Sequence, residues 1–216
     1  MQVNGRQPEP RPRCILCDSG SMATTARGRT GDQLRDELLT AATDLLSHRL
    51  AVTPPSLRET ARVCGVSATA VYRYFPSQQA LLIAIAGQSL ASLETVIAEE
   101  LEVHGNDLDR GANVRVMAVA YANWAVAHPG AYQLLFEARD LLDEPGSIDS
   151  GIERMQARLE SLLASQPSGD RDEKQQAELL WVALHGLVVT RIRKNRQRWR
   201  RTVAEDAGSF VDVFIK

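Results

Sequence analysis

From residue 31 onward the apolar side chains of this chain recur at intervals of three and four, and no run alternates with a period of two for long enough to form a strand. That spacing puts apolar residues on one face of successive helices, so the expected fold is all-α with about nine helices. Leu34, Leu38, Ala41, Leu45 and Leu46 form the first stripe and predict a helix over 34–47. Thr53-Pro54-Pro55 breaks the chain, because proline lacks the amide donor and restricts the residue before it. Ser56-Leu57-Arg58-Glu59 reads as a capping box that opens a short second helix with Leu57, Thr60, Ala61 and Cys64 on one face. Gly65-Val66-Ser67 ends that helix and begins a third over 68–75, with Gly65 free to take positive φ and Ser67 as N-cap.

Beyond Ser77 the helices lengthen. The pattern predicts a fourth over 77–103, a fifth over 109–127, a short sixth over 131–142 and a seventh carrying Ile148, Ile152, Met155, Leu159 and Leu162. An eighth covers 171–194, and a ninth starts near 203. The run Leu179 to Val189 is apolar except for His185, too short for a bilayer and suited to a buried helix. Residues 1–31 are rich in Arg, Pro, Gly and Ser and hold no apolar segment of the kind a secretory signal needs. They read as a disordered basic tail, followed by a small helical domain at 32–77 and a larger one at 78–216. A cytoplasmic protein with no membrane partner is expected.

Charge separates these parts. The total is only −2, but residues 1–76 carry +3, residues 77–190 carry −10 and residues 191–216 carry +5. A positive module on an acidic body suits a polyanion bound at one end. Catalysis is not expected: the chain lacks P-loop, GxSxG, GxGxxG and HExxH patterns, and His48, His104, His128 and His185 fall on different elements. Cys14 and Cys17 form a lone CxxC with no second pair, and Cys64 sits on an apolar helix face, so neither a metal nor a cofactor is expected.

Two short helices joined by a glycine-containing turn have the geometry of a helix-turn-helix. In Ala61-x3-Gly65-x-Ser67 the small residue permits close helix approach, the glycine makes the turn and the serine caps the next helix. Val71 and Phe75 would pack that helix down, leaving Ala68, Thr69, Tyr72, Arg73 and Tyr74 on the outer side for a major groove and its phosphates. Taken alone, this spacing also fits an ordinary three-helix corner. The longer string Ser56-Leu57-Arg58-Glu59-Thr60-Ala61, Gly65-Val66-Ser67 and Val71-Tyr72-Arg73-Tyr74-Phe75-Pro76-Ser77 resembles the N-terminal domain of TetR/AcrR-type regulators over Leu34 to Leu81. The resemblance implies a recognition helix capped by Ser67 that contacts double-stranded DNA through Ala68, Thr69, Tyr72, Arg73 and Tyr74. The chain departs from the family at Gln78, where a lysine usually meets a phosphate. Gln78 can still donate a hydrogen bond, and losing one cation flattens the log–log salt dependence by roughly 0.9. Arg27 and Arg29 precede helix one, either as an arm reaching phosphates or a minor groove or as a solvated tail.

In the body, Tyr121-Ala122-Asn123-Trp124-Ala125, His128-Pro129-Gly130-Ala131-Tyr132 and Trp181-Val182-Ala183-Leu184-His185-Gly186 resemble the subgroup with a Trp-x3-His-Gly signature in its ligand-binding and dimerisation domain. Helix eight is apolar nearly all round, more than one protomer's core readily covers. Leu180, Leu184, Gly186 and Leu187 with Phe210 and Phe214 of helix nine are therefore expected at a homodimer interface, which the family resemblance also implies. Such a dimer would hold two recognition helices about 34–36 Å apart and read a pseudo-palindromic operator. Met117, Tyr121, Trp124, Tyr132, Phe136, Met155, Leu159, Trp181 and His185 are candidates to line a cavity for an apolar or aromatic effector, with plain core packing as the alternative for each. The expected role is a repressor released from DNA by that effector; the alternative is a helical DNA- or partner-binding protein without an inducer. The basic run Arg191 to Arg201 reads as a solvated loop remote from the DNA, against a nucleic-acid or anion site with Trp199 stacking.

Overall fold

The structure is a computed structural model and describes residues 30–47, 53–105, 109–142, 146–164 and 172–215. Within them the helices are α1 (Gly31–Ser47), α2 (Leu57–Cys64), α3 (Ala68–Tyr72), α4 (Gln78–His104), α5 (Arg110–Ala127), α6 (Pro129–Phe136), α7 (Gly146–Leu163), α8 (Glu173–Arg193) and α9 (Val203–Phe214). A 3-10 turn at Arg139–Leu141 follows α6, and no strand occurs among the described residues.

Several ends differ from the sequence expectation, each for a local reason. Helix α1 begins three residues early, because Thr30 and Gln33 cap each other: the Gln33 amide donates to Thr30 Oγ1 at 3.4 Å and the Thr30 amide to Gln33 Oε1 at 3.0 Å. The predicted 68–75 helix ends at Tyr72, and residues 73–74 turn toward Pro76 with the Tyr74 and Phe75 amides both donating to the Val71 carbonyl. The predicted 131–142 helix starts earlier, with Pro129 in the first turn where its missing donor costs nothing. It also stops earlier, where the Glu137 and Ala138 amides share the Gln133 carbonyl. Thr202 and Glu205 close a full capping box on α9 that the sequence reading did not identify.

Helix α4 joins the two parts of the molecule. By length and composition it could cross a membrane, yet Leu81, Leu82, Ile85, Ala86, Leu90, Leu93 and Ile97 are buried as it packs against α1, α5, α6 and α7. Thr43 Oγ1 of α1 donates to Gln88 Oε1 of α4 at 2.6 Å, and Gln79 Nε2 donates to the Leu141 carbonyl at 2.7 Å. Helix α6 packs on both α1 and α4, so the body meets the small N-terminal module at the α5–α6 corner.

Helix α8 corrects part of the interface expectation. Leu180 and Leu184, expected to face a partner, are 0% and 3% exposed within the single chain, because Leu180, Leu184, Val188 and Ile192 recur every four residues on the side packed inward. The outward side instead carries Leu179 (51% exposed), Val182 (66% exposed) and Gly186, with Leu187 half-buried. On α9, Phe210 and Phe214 are half-buried and Val213 is 66% exposed.

The turn between α2 and α3 rests on one residue. Gly65 takes φ +67°, its amide donates to the Arg62 carbonyl, and the Val66 amide donates back to Ala61, which together form a Schellman closure. A Cβ built at Gly65 would meet nothing within 4 Å, so alanine there costs only the left-handed backbone penalty of roughly 1–2 kcal/mol. Gly65→Ala should lower the melting temperature by about 2–6 °C, and Gly65→Asn by less, as read by differential scanning calorimetry.

Candidate nucleic-acid interface and effector cluster

Helix α3 is short and packs on α2. Ser56 Oγ accepts the Glu59 amide at the start of α2, and Ser67 Oγ accepts the Ala70 amide at the start of α3. Ala61 (3% exposed), Val71 (0%) and Phe75 (2%) are buried, which seats α3 on α2 as the Ala-x3-Gly spacing required. Arg35 of α1 lies over the Phe75 ring at 5.6 Å. Ser67, Thr69, Arg73 and Gln78 are then exposed and Tyr72 is 51% exposed, a large aromatic ring turned to solvent beside a cation. Ala68 is half-buried. Tyr74, expected on the outer side, is also half-buried and packs on the core, its hydroxyl near Gly31 at the start of α1. Gln78 occupies the first position of α4, whose N-cap Ser77 accepts the Ala80 amide. Arg29, Arg27, Cys14 and Cys17 lie outside the described residues.

In the body, Tyr121, Tyr132, Phe136, Trp181 and His185 form one cluster from α5, α6 and α8. Phe136 sits edge-on to His185 at 4.9 Å between ring centroids, and Trp181 lies 4.7 Å from His185 and 5.4 Å from Tyr121. The His185 Nδ1–H donates to the Trp181 carbonyl at 3.1 Å, since a carbonyl can only accept. Nε2 is thereby left to accept from the Tyr121 hydroxyl at 3.3 Å. Burial, the nearby Tyr132 and its hydrogen bond hold the Tyr121 hydroxyl well above its usual value, and burial pushes Tyr132 up to about 12. Both phenols therefore stay neutral. Burial pushes His185 below its ordinary 6.5, against the opposing pull of the Trp181 carbonyl and the Glu137 charge.

The other expected pocket residues are placed differently. Trp124 belongs to a neighbouring pair, donating to Ser92 Oγ at 3.2 Å and lying 5.1 Å from the His128 ring. Met117, Met155 and Leu159 are buried core side chains. A cavity of about 290 Å³ opens elsewhere, between Val126, Pro129, Arg191, Ile192, Asn195, Trp199 and Val203. Another of about 610 Å³ lies at the opposite end of α5, beside Leu101, Asn113 and Arg158.

The basic run is not one solvated loop. Arg191 is 9% exposed, pairs with Asp206, donates to the Arg201 carbonyl at 3.0 Å and stacks over the Trp199 ring at 4.2 Å. Arg193 pairs with Glu137, just past the end of α6, at 2.6 Å. The loop is therefore tied to the end of α6, the helix that packs on α1 and α4. Glu137, 56 residues from Arg193, and Asp206, 15 residues from Arg191, are what draw these arginines in.

Two family patterns match the chain. Residues 38–85 match "Bacterial regulatory proteins, tetR family", and residues 114–213 match "Tetracyclin repressor-like, C-terminal domain". No curated protein matches it. Among solved structures, a protein of unknown function from a Rhodococcus species superposes with a TM-score of 0.72 at 22% identity, covering 89% of this chain and 97% of its own. The TetR family transcriptional regulator PfmR from Thermus thermophilus gives 0.64 at 19%, covering 83% and 97%. The fatty acid degradation regulator FadR from Bacillus halodurans gives 0.61 at 13%, covering 88% and 97%.

The buried histidine makes a pH prediction. The unfolded chain takes up a proton near 6.5, whereas the folded chain resists it until lower pH, so His185 removes stability as pH falls below 6.5. Between pH 7 and pH 5, urea denaturation should show a smaller loss for His185→Gln than for the parent.

Proposed function

This chain belongs to the TetR family of bacterial regulatory proteins, and from that premise we propose that it is a cytoplasmic transcriptional repressor that leaves a pseudo-palindromic operator when a small apolar or aromatic effector binds its body. A DNA-binding regulator, not an enzyme, is what the family assigns. The observation that carries the DNA reading is the exposed trio Thr69, Tyr72 and Arg73 on a helix whose other side is anchored by Val71 and Phe75. A solvent-facing tyrosine next to an arginine costs stability nothing and offers a phosphate both a hydrogen-bond donor and a charge. In this reading residues 32–77 form the DNA-binding domain and residues 78–216 the regulatory one.

A homodimer is supported by the uncovered face of α8 and α9. Leu179, Val182 and Val213 are too exposed for one protomer to have used them, and burying each is worth roughly 1.5–3 kcal/mol. Gly186 on the same face lets a partner helix approach. Leu187, Phe210 and Phe214 border that face.

The effector reading rests on the cluster of Tyr121, Tyr132, Phe136, Trp181 and His185. Its rings are apolar, its hydroxyls neutral, and Phe136 and Tyr132 lie on α6, the helix that also touches α1 and α4. An aromatic guest that displaced Phe136 would move α6 and with it the module's footing. The competing reading, a DNA-binding protein with no inducer, is favoured by one observation: the rings fill each other's space, and neither described cavity includes them. A thermal-shift screen separates the two, since an effector should both raise the melting temperature and weaken DNA binding.

Selection of bound duplexes from a random pool should return a site with two related half-sites. On that site Tyr72→Ala and Arg73→Ala should each weaken binding about tenfold or more, at roughly 1–3 kcal/mol for a good contact, with unchanged stability. Val182→Glu should yield monomers by analytical ultracentrifugation and lose the gain from having two half-sites. A parent chain that is monomeric both with and without DNA would sink the dimer.

A further inference from the structure

The cations of the α8–α9 loop divide into two sets. Arg191, Arg193 and Arg201 are committed to acids within the chain, through Asp206, Glu137 and Asp206 respectively. Lys194, Arg196, Arg198 and Arg200 are exposed and form no ion pair among the described residues. They fall on alternate positions over seven residues that contain no acid. A merely solvated loop needs no such concentration, and packing four like charges together costs energy until an anion relieves it.

The loop is built rather than slack. At one end the Arg191 guanidinium stacks on Trp199 and donates to the Arg201 carbonyl; at the other, the Thr202–Glu205 capping box fixes the start of α9, with the Thr202 amide donating to Glu205 Oε2 at 2.7 Å. Within it the Gln197 amide donates to the Lys194 carbonyl at 2.9 Å. Holding the backbone this way lowers the entropy lost when the side chains engage a partner. The loop is also oriented. The Arg193–Glu137 pair ties it to the end of α6, Asn195 and Trp199 share a cavity with Val126 and Pro129, and α6 packs on α1 and α4, so the loop stands at the end of the body that carries α1. Residues 77–190 carry −10, so elsewhere the body repels an anion that this loop attracts.

We propose that Lys194, Arg196, Arg198 and Arg200 form a second phosphate-binding surface that grips the backbone of the same DNA duplex the recognition helix reads. This rests on the DNA-binding reading above and adds to it a contact that carries no base information. Among residues 66–78 Arg73 is the one cation, and Gln78 stands at the start of α4. Charge supplied from the body would raise affinity for operator and non-operator DNA alike.

The test uses the full chain and a duplex obtained by selection, with the dissociation constant measured from about 50 to 200 mM salt. Replacing all four residues by glutamine should make the log–log salt slope shallower by about 2 or more, at about 0.9 per phosphate and at least one phosphate per subunit of a dimer. The affinity loss should be equal on the selected and a scrambled duplex. The charge-keeping variant Arg196→Lys, Arg198→Lys, Arg200→Lys should retain the parental slope. Thr69→Ala, on the exposed side of α3, should instead narrow the gap between the two duplexes. A parental slope in the glutamine variant overturns the inference while leaving the DNA-binding reading intact. A parent chain that selects no duplex takes both down. Loss of binding to phosphatidylglycerol vesicles with an unchanged duplex slope also overturns it, assigning the cations to a membrane surface.

Discussion

Helix α4 is the element on which the rest depends, because its one apolar face is buried by two sets of partners. Its first turns pack with α1 and close the small module; its later turns carry α5 and α7. A small three-helix unit buries too little apolar surface to be robust alone. Sharing α4 lends the module the stability of the larger body. It also means the two parts cannot shift independently: Thr43–Gln88 and Gln79–Leu141 are hydrogen bonds across the joint.

The α5–α6 corner concentrates the polar chemistry. His185, Tyr121 and Tyr132 satisfy one another in an otherwise apolar cluster, and Glu137 at its edge holds Arg193 from α8. Buried polar groups of this kind tolerate no half-measures, since a donor left without a partner costs about 1–3 kcal/mol. The same corner packs on α1 and α4. Arg191 is only partly satisfied beneath α9: Asp206 and two carbonyls accept from one guanidinium nitrogen and the Trp199 ring covers its face, while its Nε is buried with no hydrogen-bond partner.

Much of the DNA-facing module was legible from local signals. Gly65 at positive φ, Ser67 as N-cap and the inward pair Val71 and Phe75 are all consequences of neighbours within a few residues. Tyr74 was not, because whether its ring meets solvent or the start of α1 depends on a helix more than twenty-five residues earlier in the chain. The aromatic cluster was legible as composition and only partly as geometry. Trp124 shares a helix with Tyr121, yet it turns to Ser92 of α4, a choice that no spacing encodes.

Period and punctuation in the sequence were sufficient for an all-α chain, its helix order and the turn that presents α3, because backbone hydrogen bonding and capping are local. The tertiary structure decided which side of α8 is spent at home, leaving Leu179 and Val182 outside and Leu180 and Leu184 inside. It also decided that the basic run is two populations of charge, one neutralised by Asp206 and Glu137 and one left for solvent. Both outcomes turn on burial and long-range pairing, which depend on where distant segments meet and not on the residues beside them.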